Sequence, residues 1–178
     1  MPRRSSFTVA HSWAELAADL ARRPVPDLVI ADVDPAVAGW GANLDALHAG
    51  FAHAEGHLAE VTSFCTLVWA TNSTRLADTP GPPARHTPGG NRLLVGARKP
   101  LPRHLGLELD ALRFRRTVVT GDQWLIDGLL ARRFHAHFVL WKDPRPTPVW
   151  ARLQYALGWL IVRPLFKRGV PETTIPAS

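Results

Sequence analysis

The chain has 178 residues, 46% of them hydrophobic, which is enough for one domain with a packed core. Its single cysteine, Cys65, excludes an internal disulfide and a multi-cysteine zinc site. Glu15 and Asp19 interrupt any apolar run near the N-terminus that could serve as a secretion signal, so the sequence favours a cytoplasmic protein over a secreted one. The net charge is +6, and residues 92–178 carry 15 Lys and Arg against 6 Asp and Glu, which favours phosphorylated or anionic partners.

The first elements are a helix and a buried strand. Ser12 and Glu15 form a capping-box pattern, which predicts a helix over 13–23 that ends before the prolines at 24 and 26. Residues 27–33 are almost continuously apolar, as in a strand covered on both faces of a parallel sheet. This strand ends at Asp34-Pro35, so its carboxylates are predicted at the carboxyl edge of the sheet.

The rest of the chain continues to alternate between helix and strand. A helix at 43–60 and a strand at 64–70 complete a βαβ unit, and a Pro- and Gly-rich loop follows at 79–91. The remaining elements are a strand at 92–95, a helix at 103–112, a strand at 117–120, a helix at 123–132, a strand at 136–141 and a basic amphipathic helix at 147–169. This order predicts a single α/β domain over 1–178, with a doubly wound, mostly parallel sheet and helices on both faces.

Polar motifs follow the predicted strands in a fixed order. They are Asp32-Val33-Asp34, Thr71-Asn72, Arg98-Lys99-Pro100, and Gly121-Asp122 with Asp127 five residues later. Taken singly, each is an ordinary turn or capping sequence. Together they are predicted to face one crevice, because the carboxyl ends of parallel strands share an edge.

In this order the motifs resemble the haloacid dehalogenase-like hydrolases. The closest similarity is to their small, capless phosphatase branch, which includes phosphatidylglycerophosphate phosphatases and the bacterial YqeG-like proteins. It extends over about residues 10–170 and is carried by Ala97-Arg98-Lys99-Pro100, by Gly121-Asp122-Gln123 with Asp127, and by the basic C-terminal helix. The resemblance implies a Rossmann-like fold without a cap and a Mg²⁺-dependent phosphomonoesterase, with phosphatidylglycerophosphate or another small phosphate ester as substrate.

The chemistry of the acidic residues agrees with this resemblance. A carboxylate can attack phosphorus and form an aspartyl-phosphate, and Asp32 is the candidate nucleophile. Asp34, two residues further along an extended strand, is predicted to protonate the leaving oxygen and then activate water. Asp32, the Asp34 carbonyl and Asp122 are the predicted Mg²⁺ ligands, a set that the resemblance also implies.

The remaining polar residues are predicted to support the phosphate and the lysine. Lys99 balances the negative charge of the phosphoryl group, and Thr71 and Asn72 complete the predicted phosphate-binding set. Asp127 is expected to orient Lys99 or a metal-bound water.

Two residues depart from the family pattern. Pro35 and Ala36 stand where the family usually has Asn-Thr or Gly-Thr. Proline removes a backbone donor and alanine a hydroxyl, so a catalytically impaired module that binds phosphate or a partner is the alternative function.

The C-terminal segment allows two interpretations. Trp150, Leu153, Leu157 and Leu160 follow helical spacing, and basic residues accompany them over 150–168. Such a helix can pack on the sheet, or it can make peripheral contact with an anionic membrane. Nucleic-acid binding is not expected, because no recognition motif accompanies the basic charge.

Overall fold

A seven-stranded parallel β-sheet forms the centre of the protein. The computed structural model describes residues 5–40, 42–73, 86–100, 114–143 and 147–168. The predicted helix at 103–112 and residues 79–85 of the predicted loop lie outside these ranges. The strands are β1 (Ser6–Ala10), β2 (Leu28–Asp32), β3 (Thr66–Thr71), β4 (Arg92–Val95), β5 (Thr117–Gly121), β6 (His137–Trp141) and β7 (Lys167–Arg168). The helices are α1 (Trp13–Ala21), α2 (Leu44–Thr62), α3 (Leu129–Arg133) and α4 (Val149–Ile161).

The strand order creates a switch point beside β2. The order is β4-β3-β2-β5-β6-β1-β7, and every neighbouring pair is parallel. From β2 the chain moves outward through β3 to β4, whereas β5 lies on the other side of β2 and leads to β6. The carboxyl ends of β2 and β5 therefore border the crevice in which open α/β sheets bind ligands.

Both faces of the sheet are covered by helical segments. Alternate residues of β2 point to opposite faces, so Val29 and Ala31 pack with α1 and α2. Leu28 and Ile30 belong to the core on the other face, which contains Trp124 and residues of α3. Because β2 is buried on both sides, its sequence is a nearly continuous apolar run. The predicted α/β architecture, a parallel sheet with helices on both faces, is confirmed.

The N-terminal helix begins as its sequence predicts. The Ser12 hydroxyl accepts a hydrogen bond from the Glu15 amide at 3.2 Å, and the Glu15 carboxylate accepts one from the His11 amide at 2.8 Å. The helix ends at Ala21, two residues before the predicted limit. The first contact satisfies an amide donor that the first helical turn leaves without an intrahelical partner, and the second satisfies the amide of His11, which precedes the cap.

Three sequence-based assignments are corrected. The edge pair β1 and β7 was not predicted; β1 lies between β6 and β7 in the sheet. The predicted helix at 123–132 begins as a π-helical turn, Trp124–Gly128, before α3. The predicted helix at 147–169 is wrong in its C-terminal part, because α4 ends at Ile161, ahead of Pro164, and a 3₁₀ turn (Arg163–Leu165) and β7 follow. Among the helices of the described ranges, none has the length and hydropathy needed to cross a membrane.

Candidate active site

A pocket of about 420 Å³ opens at the carboxyl edge of the sheet, at the switch point. Its size is in the range of small-molecule sites. Six of the seven predicted site residues line it, and Asp127 lies directly behind them. The lining residues are Asp32, Asp34, Trp40, Thr71, Asn72, Ser73, Lys99, Asp122, Gln123, Ile126, Trp150 and Gln154.

Lys99 links the first and fourth motifs. Its Nζ lies 2.8 Å from Asp32 Oδ1 and 2.7 Å from Asp127 Oδ1, and the side chains of Lys99 and Asp127 are almost completely buried. Asp32 Oδ1 also accepts a hydrogen bond from the Val33 amide at 2.8 Å. Lys99 Nζ and the Val33 amide both contact Oδ1, so the side chain of Asp32 is held in one orientation. Neither of these two contacts uses the other carboxylate oxygen, Oδ2.

The backbone of Lys99 is fixed by Asn72. The Lys99 amide donates to Asn72 Oδ1 at 2.7 Å, and Asn72 Nδ2 donates to the Lys99 carbonyl at 3.0 Å. The turn before Lys99 contains two residues with left-handed backbone, Gly96 at φ 62° and Arg98 at φ 52°. Arg98 has a side chain, so this conformation costs about 1 kcal/mol, and the clamp by Asn72 holds the chain in it. The Asn72 amide, predicted to bind phosphate, is therefore engaged in holding Lys99.

Asp122 and Asp127 are placed by the end of β5. Ala31 of β2 is in register with Thr120 of β5, so Gly121 and Asp122 follow beside Asp32. A Cβ atom at Gly121 would overlap the carboxylate of Asp127, so this position requires glycine if Asp127 is to reach Lys99. Asp127 Oδ2 also accepts from the Gln123 amide at 3.3 Å. The Gly121-Asp122 sequence is thus part of the packing that positions Asp127.

Asp34 reaches the pocket by a different path from the one predicted. The strand ends at Asp32, and the chain enters a turn in which the Val37 amide donates to the Val33 carbonyl at 2.8 Å. The prediction that an extended strand carries Asp34 to the same side as Asp32 is wrong. The turn brings Asp34 to the pocket instead, where its Oδ2 accepts a hydrogen bond from the Thr71 hydroxyl at 3.3 Å. Thr71 also accepts from the Ser73 amide at 2.9 Å.

The cluster carries more negative than positive charge. Carboxylate oxygens of Asp32, Asp122 and Asp127 lie within 4.8 Å of one another, and in this cluster Lys99 supplies one ammonium group. Burial raises the pKa of Asp122 to about 7, and the charge of Asp127 adds to this increase. Burial also raises the pKa of Asp32 well above its ordinary value, although Lys99 opposes the shift. The charges of Asp127 and Asp32 raise the pKa of Lys99 despite its burial. The lysine is therefore charged over the whole physiological pH range.

The donor set fits a divalent cation. Asp122 Oδ2 accepts from Gln123 Nε2 at 3.0 Å, whereas its buried Oδ1 has no hydrogen-bond partner among the described residues. An unpaired buried carboxylate oxygen is costly, and a cation beside it would remove that cost. Oxygen ligands of this kind suit Mg²⁺. The three carboxylates that lie together are those of Asp32, Asp122 and Asp127. The Mg²⁺ ligands predicted from the sequence were Asp32, Asp122 and the Asp34 carbonyl, so Asp127 is an additional candidate ligand.

The outer wall of the pocket was not predicted. Trp40 and Trp150 form an edge-to-face pair with ring centroids 5.1 Å apart. Gln123 connects this wall to the acidic cluster, because its Nε2 donates to Asp122 and to the Ala151 carbonyl at 3.4 Å. Helix α4 thus contributes Trp150 and Gln154 to the pocket, although it is distant in sequence from the first motif. No periodicity or motif in the sequence indicated that Trp40 and Trp150 would meet.

Comparisons with protein-family models, with curated proteins and with solved structures gave no match.

Proposed function

We propose that the protein is a Mg²⁺-dependent phosphomonoester hydrolase that acts through an aspartyl-phosphate on Asp32. The observation that carries this proposal is the position of the Lys99 ammonium, within 2.8 Å of Asp32 and 2.7 Å of Asp127 in a pocket that Asp122 also lines. Capless haloacid dehalogenase-like membership is part of the proposal and rests on the order of the motifs. Phosphoryl transfer through an aspartyl-phosphate requires a nucleophile, a positive charge and oxygen ligands for a metal ion in one place. Candidates for all three lie together at the switch point of the sheet.

In the first step Asp32 Oδ2 attacks phosphorus. A bond forms between this oxygen and phosphorus, and the bond from phosphorus to the leaving oxygen breaks. The protonated carboxyl of Asp34 gives its proton to the leaving oxygen, which departs as an alcohol. Asp34 is suited to this role because its turn places it in the same pocket as Asp32.

In the second step water hydrolyses the aspartyl-phosphate. The Asp34 carboxylate takes a proton from water while the water oxygen attacks phosphorus, and the bond from phosphorus to Asp32 breaks. Inorganic phosphate leaves, Asp32 is again a carboxylate, and Asp34 again carries a proton.

Lys99 stabilises the phosphoryl oxygens, and its charge opposes the rise in the pKa of Asp32 that burial causes. Its charge is fixed by Asp127, which is fully buried. Asn72 has a positioning role in this scheme, because its amide holds the backbone of Lys99 on both sides. Thr71, whose hydroxyl donates a hydrogen bond to Asp34, is assigned the role of contacting a phosphoryl oxygen in this scheme.

Mg²⁺ would be held by Asp32, Asp122 and the carbonyl of Asp34, with Asp127 close enough to bind it directly or through water. When bound, the ion would neutralise phosphoryl charge and lower the repulsion between the phosphate and the carboxylates.

The test is release of inorganic phosphate from an aryl phosphate and from phosphatidylglycerophosphate, with Mg²⁺ and with EDTA. The wild type should release phosphate only with Mg²⁺, and Asp32→Asn should lower the rate by at least about 10³-fold. Asp45→Asn, an exposed aspartate in the first turn of α2, is the matched control and should keep the wild-type rate. Equal rates for Asp32→Asn and the wild type would exclude Asp32 as the nucleophile.

A second candidate is a module that binds phosphate without turnover. It is favoured by Pro35, which lacks an amide donor, and by Ala36, a buried residue without a hydroxyl. Beryllium fluoride with Mg²⁺ distinguishes the two functions, because it mimics a phosphoryl group on a nucleophilic aspartate. A stable adduct on Asp32 supports the hydrolase, whereas phosphate binding without adduct or turnover supports the module.

A further inference from the structure

Helix α4 packs on the protein through a narrow strip of small residues. Ala151 and Gly158 are buried, and a Cβ atom at Gly158 would lie 2.6 Å from Trp124 Cβ and 2.8 Å from the Leu125 nitrogen. This close approach leaves no room for a larger side chain at position 158. Tyr155 also packs against the core beside this strip, whereas the large apolar residues on the opposite side of α4 are directed away from the protein.

The side of α4 opposite this strip is apolar and exposed. Its residues follow helical spacing and have exposed fractions of 72% for Val149, 67% for Leu153, 50% for Leu157 and 66% for Leu160. We call these four residues the outer face of α4. Trp150, Trp159 and Ile161 beside them are also more than half exposed. Single exposed apolar residues need no explanation, but a contiguous set of this size marks an interaction surface.

The charge around the outer face has one sign. Residues 147–168 include Arg152, Arg163, Lys167 and Arg168 and contain no Asp or Glu. The side chains of Arg152, Arg163 and Lys167 are exposed. An apolar helix face with tryptophans and basic residues at its borders has the composition of helices that lie in the interface of an anionic membrane.

We propose that the outer face of α4 docks the protein on an anionic lipid surface, with α4 parallel to the membrane plane. A second copy of this chain fits the surface less well, because a symmetric contact would bring the basic residues of both copies together without an acidic partner in this segment. Anionic headgroups supply the opposite charge, and the acyl region accepts the leucines.

The docking surface is separable from the proposed chemistry. Trp150 and Gln154 of α4 line the pocket, whereas the outer leucines do not. Docking would therefore place the mouth of the pocket near the headgroups, but docking itself does not require catalysis.

The experiment is flotation of the full chain with vesicles of phosphatidylcholine alone or mixed equally with phosphatidylglycerol. We expect the wild type to float with the mixed vesicles and to remain unbound with phosphatidylcholine. The double variant Leu153→Glu/Leu160→Glu should bind the mixed vesicles at least about tenfold more weakly. Arg163→Gln should weaken binding roughly fivefold, and added salt should weaken it further.

Phe64→Glu is the matched control. Phe64 is 75% exposed and lies between α2 and β3, at the amino edge of the sheet. This variant should bind vesicles like the wild type, and all variants should keep the wild-type melting temperature because the altered side chains are exposed. Failure of the wild type to float with mixed vesicles at low salt would overturn the proposal, as would equal flotation of the double variant. The proposal would also be overturned if the wild type formed a dimer, did not bind vesicles, and became a monomer in the double variant. That result would assign the outer face to a contact with a second copy of the chain. None of these readouts depends on phosphatase activity.

Discussion

Asp27 and Asp32 lie at the two ends of β2, and both are near a basic side chain. Asp27 accepts hydrogen bonds from the amides of Arg116 and Arg115, both at 3.0 Å, and these bonds lower its pKa. Asp32 has a closer cation, the Lys99 ammonium at 2.8 Å, yet burial raises its pKa. The difference lies in solvation, since the side chain of Asp27 is 34% exposed, whereas that of Asp32 is 12% exposed and lies beside two buried carboxylates. A carboxylate whose ionised form is stabilised by hydrogen bonds contributes to folding stability. A carboxylate that lies close to other carboxylates in a poorly solvated pocket is typical of functional sites.

Lys99→Met should give the largest effect, because it removes the buried ammonium group that Asp32 and Asp127 share. We expect phosphatase activity to fall by at least about 10³-fold and the free energy of unfolding to fall by about 3–5 kcal/mol at neutral pH. The loss of stability should be smaller at pH 5, because burial raises the pKa of Asp32 and a protonated Asp32 no longer needs the ammonium group. Phosphate release and urea denaturation at both pH values measure this. Lys167→Met, at an exposed lysine, should match the wild type in both assays.

Gly121→Ala tests whether Asp127 is positioned by close packing. The added methyl group would overlap Asp127 and move it away from Lys99. We expect activity to fall about 10²-fold, as for a displacement of about 1 Å in an active site. Gly56→Ala is the control, since no atom lies within 4 Å of the corresponding Cβ in α2. That substitution should raise the free energy of unfolding by about 0.5–1 kcal/mol and leave activity unchanged. Similar kinetic parameters for the two variants would contradict the packing argument.

Asp122→Asn should stabilise the metal-free protein and abolish its Mg²⁺ binding. The pKa of Asp122 is raised from 3.8 to about 7, so the folded state binds a proton more tightly than the unfolded state. Ionising Asp122 therefore costs stability, and this cost grows as the pH rises from about 4 to about 7. We expect the variant to be more stable by on the order of 2 kcal/mol at pH 8, with no difference near pH 4. Thermal denaturation in EDTA across this range measures the gain, and calorimetry with Mg²⁺ measures the loss of binding.

Asp27→Asn should give the smallest effect and the opposite dependence on pH. The lowered pKa of Asp27 means that its carboxylate contributes stability at neutral pH, which is lost as the pH falls through that pKa. The variant should melt slightly below the wild type at pH 7, with a difference that disappears in acid, and its phosphatase activity should be within about twofold of the wild type. A stabilising effect at pH 7 would remove the contrast between the two ends of β2.

The sequence predicted the buried strands and the edge at which the polar motifs meet. Continuous apolar runs such as 27–33 identify strands that are covered on both faces, and parallel strands bring their carboxyl ends together. The edge pair β1 and β7 was missed because a five-residue strand and a two-residue strand give weak periodicity and depend on pairing with β6 and with each other.

Local patterns could not provide the remaining features of the site. The turn after Asp32 depends on packing around Val33 and Val37 rather than on strand alternation. Helical spacing showed that Leu153, Leu157 and Leu160 share a face, but spacing alone does not distinguish an inward from an outward face. That distinction came from Gly158, whose close contact with Trp124 fixes the side of α4 that is buried.

The clamp between Asn72 and Lys99 has a consequence for hydrogen exchange. The Lys99 amide lies outside the strands, yet its donation to Asn72 Oδ1 at 2.7 Å resembles a bond of a β-ladder. Its hydrogen exchanges with deuterated solvent only when the clamp opens. The exchange rate at this single loop position therefore reports how often the lysine leaves its place, in a sample that contains neither metal nor substrate.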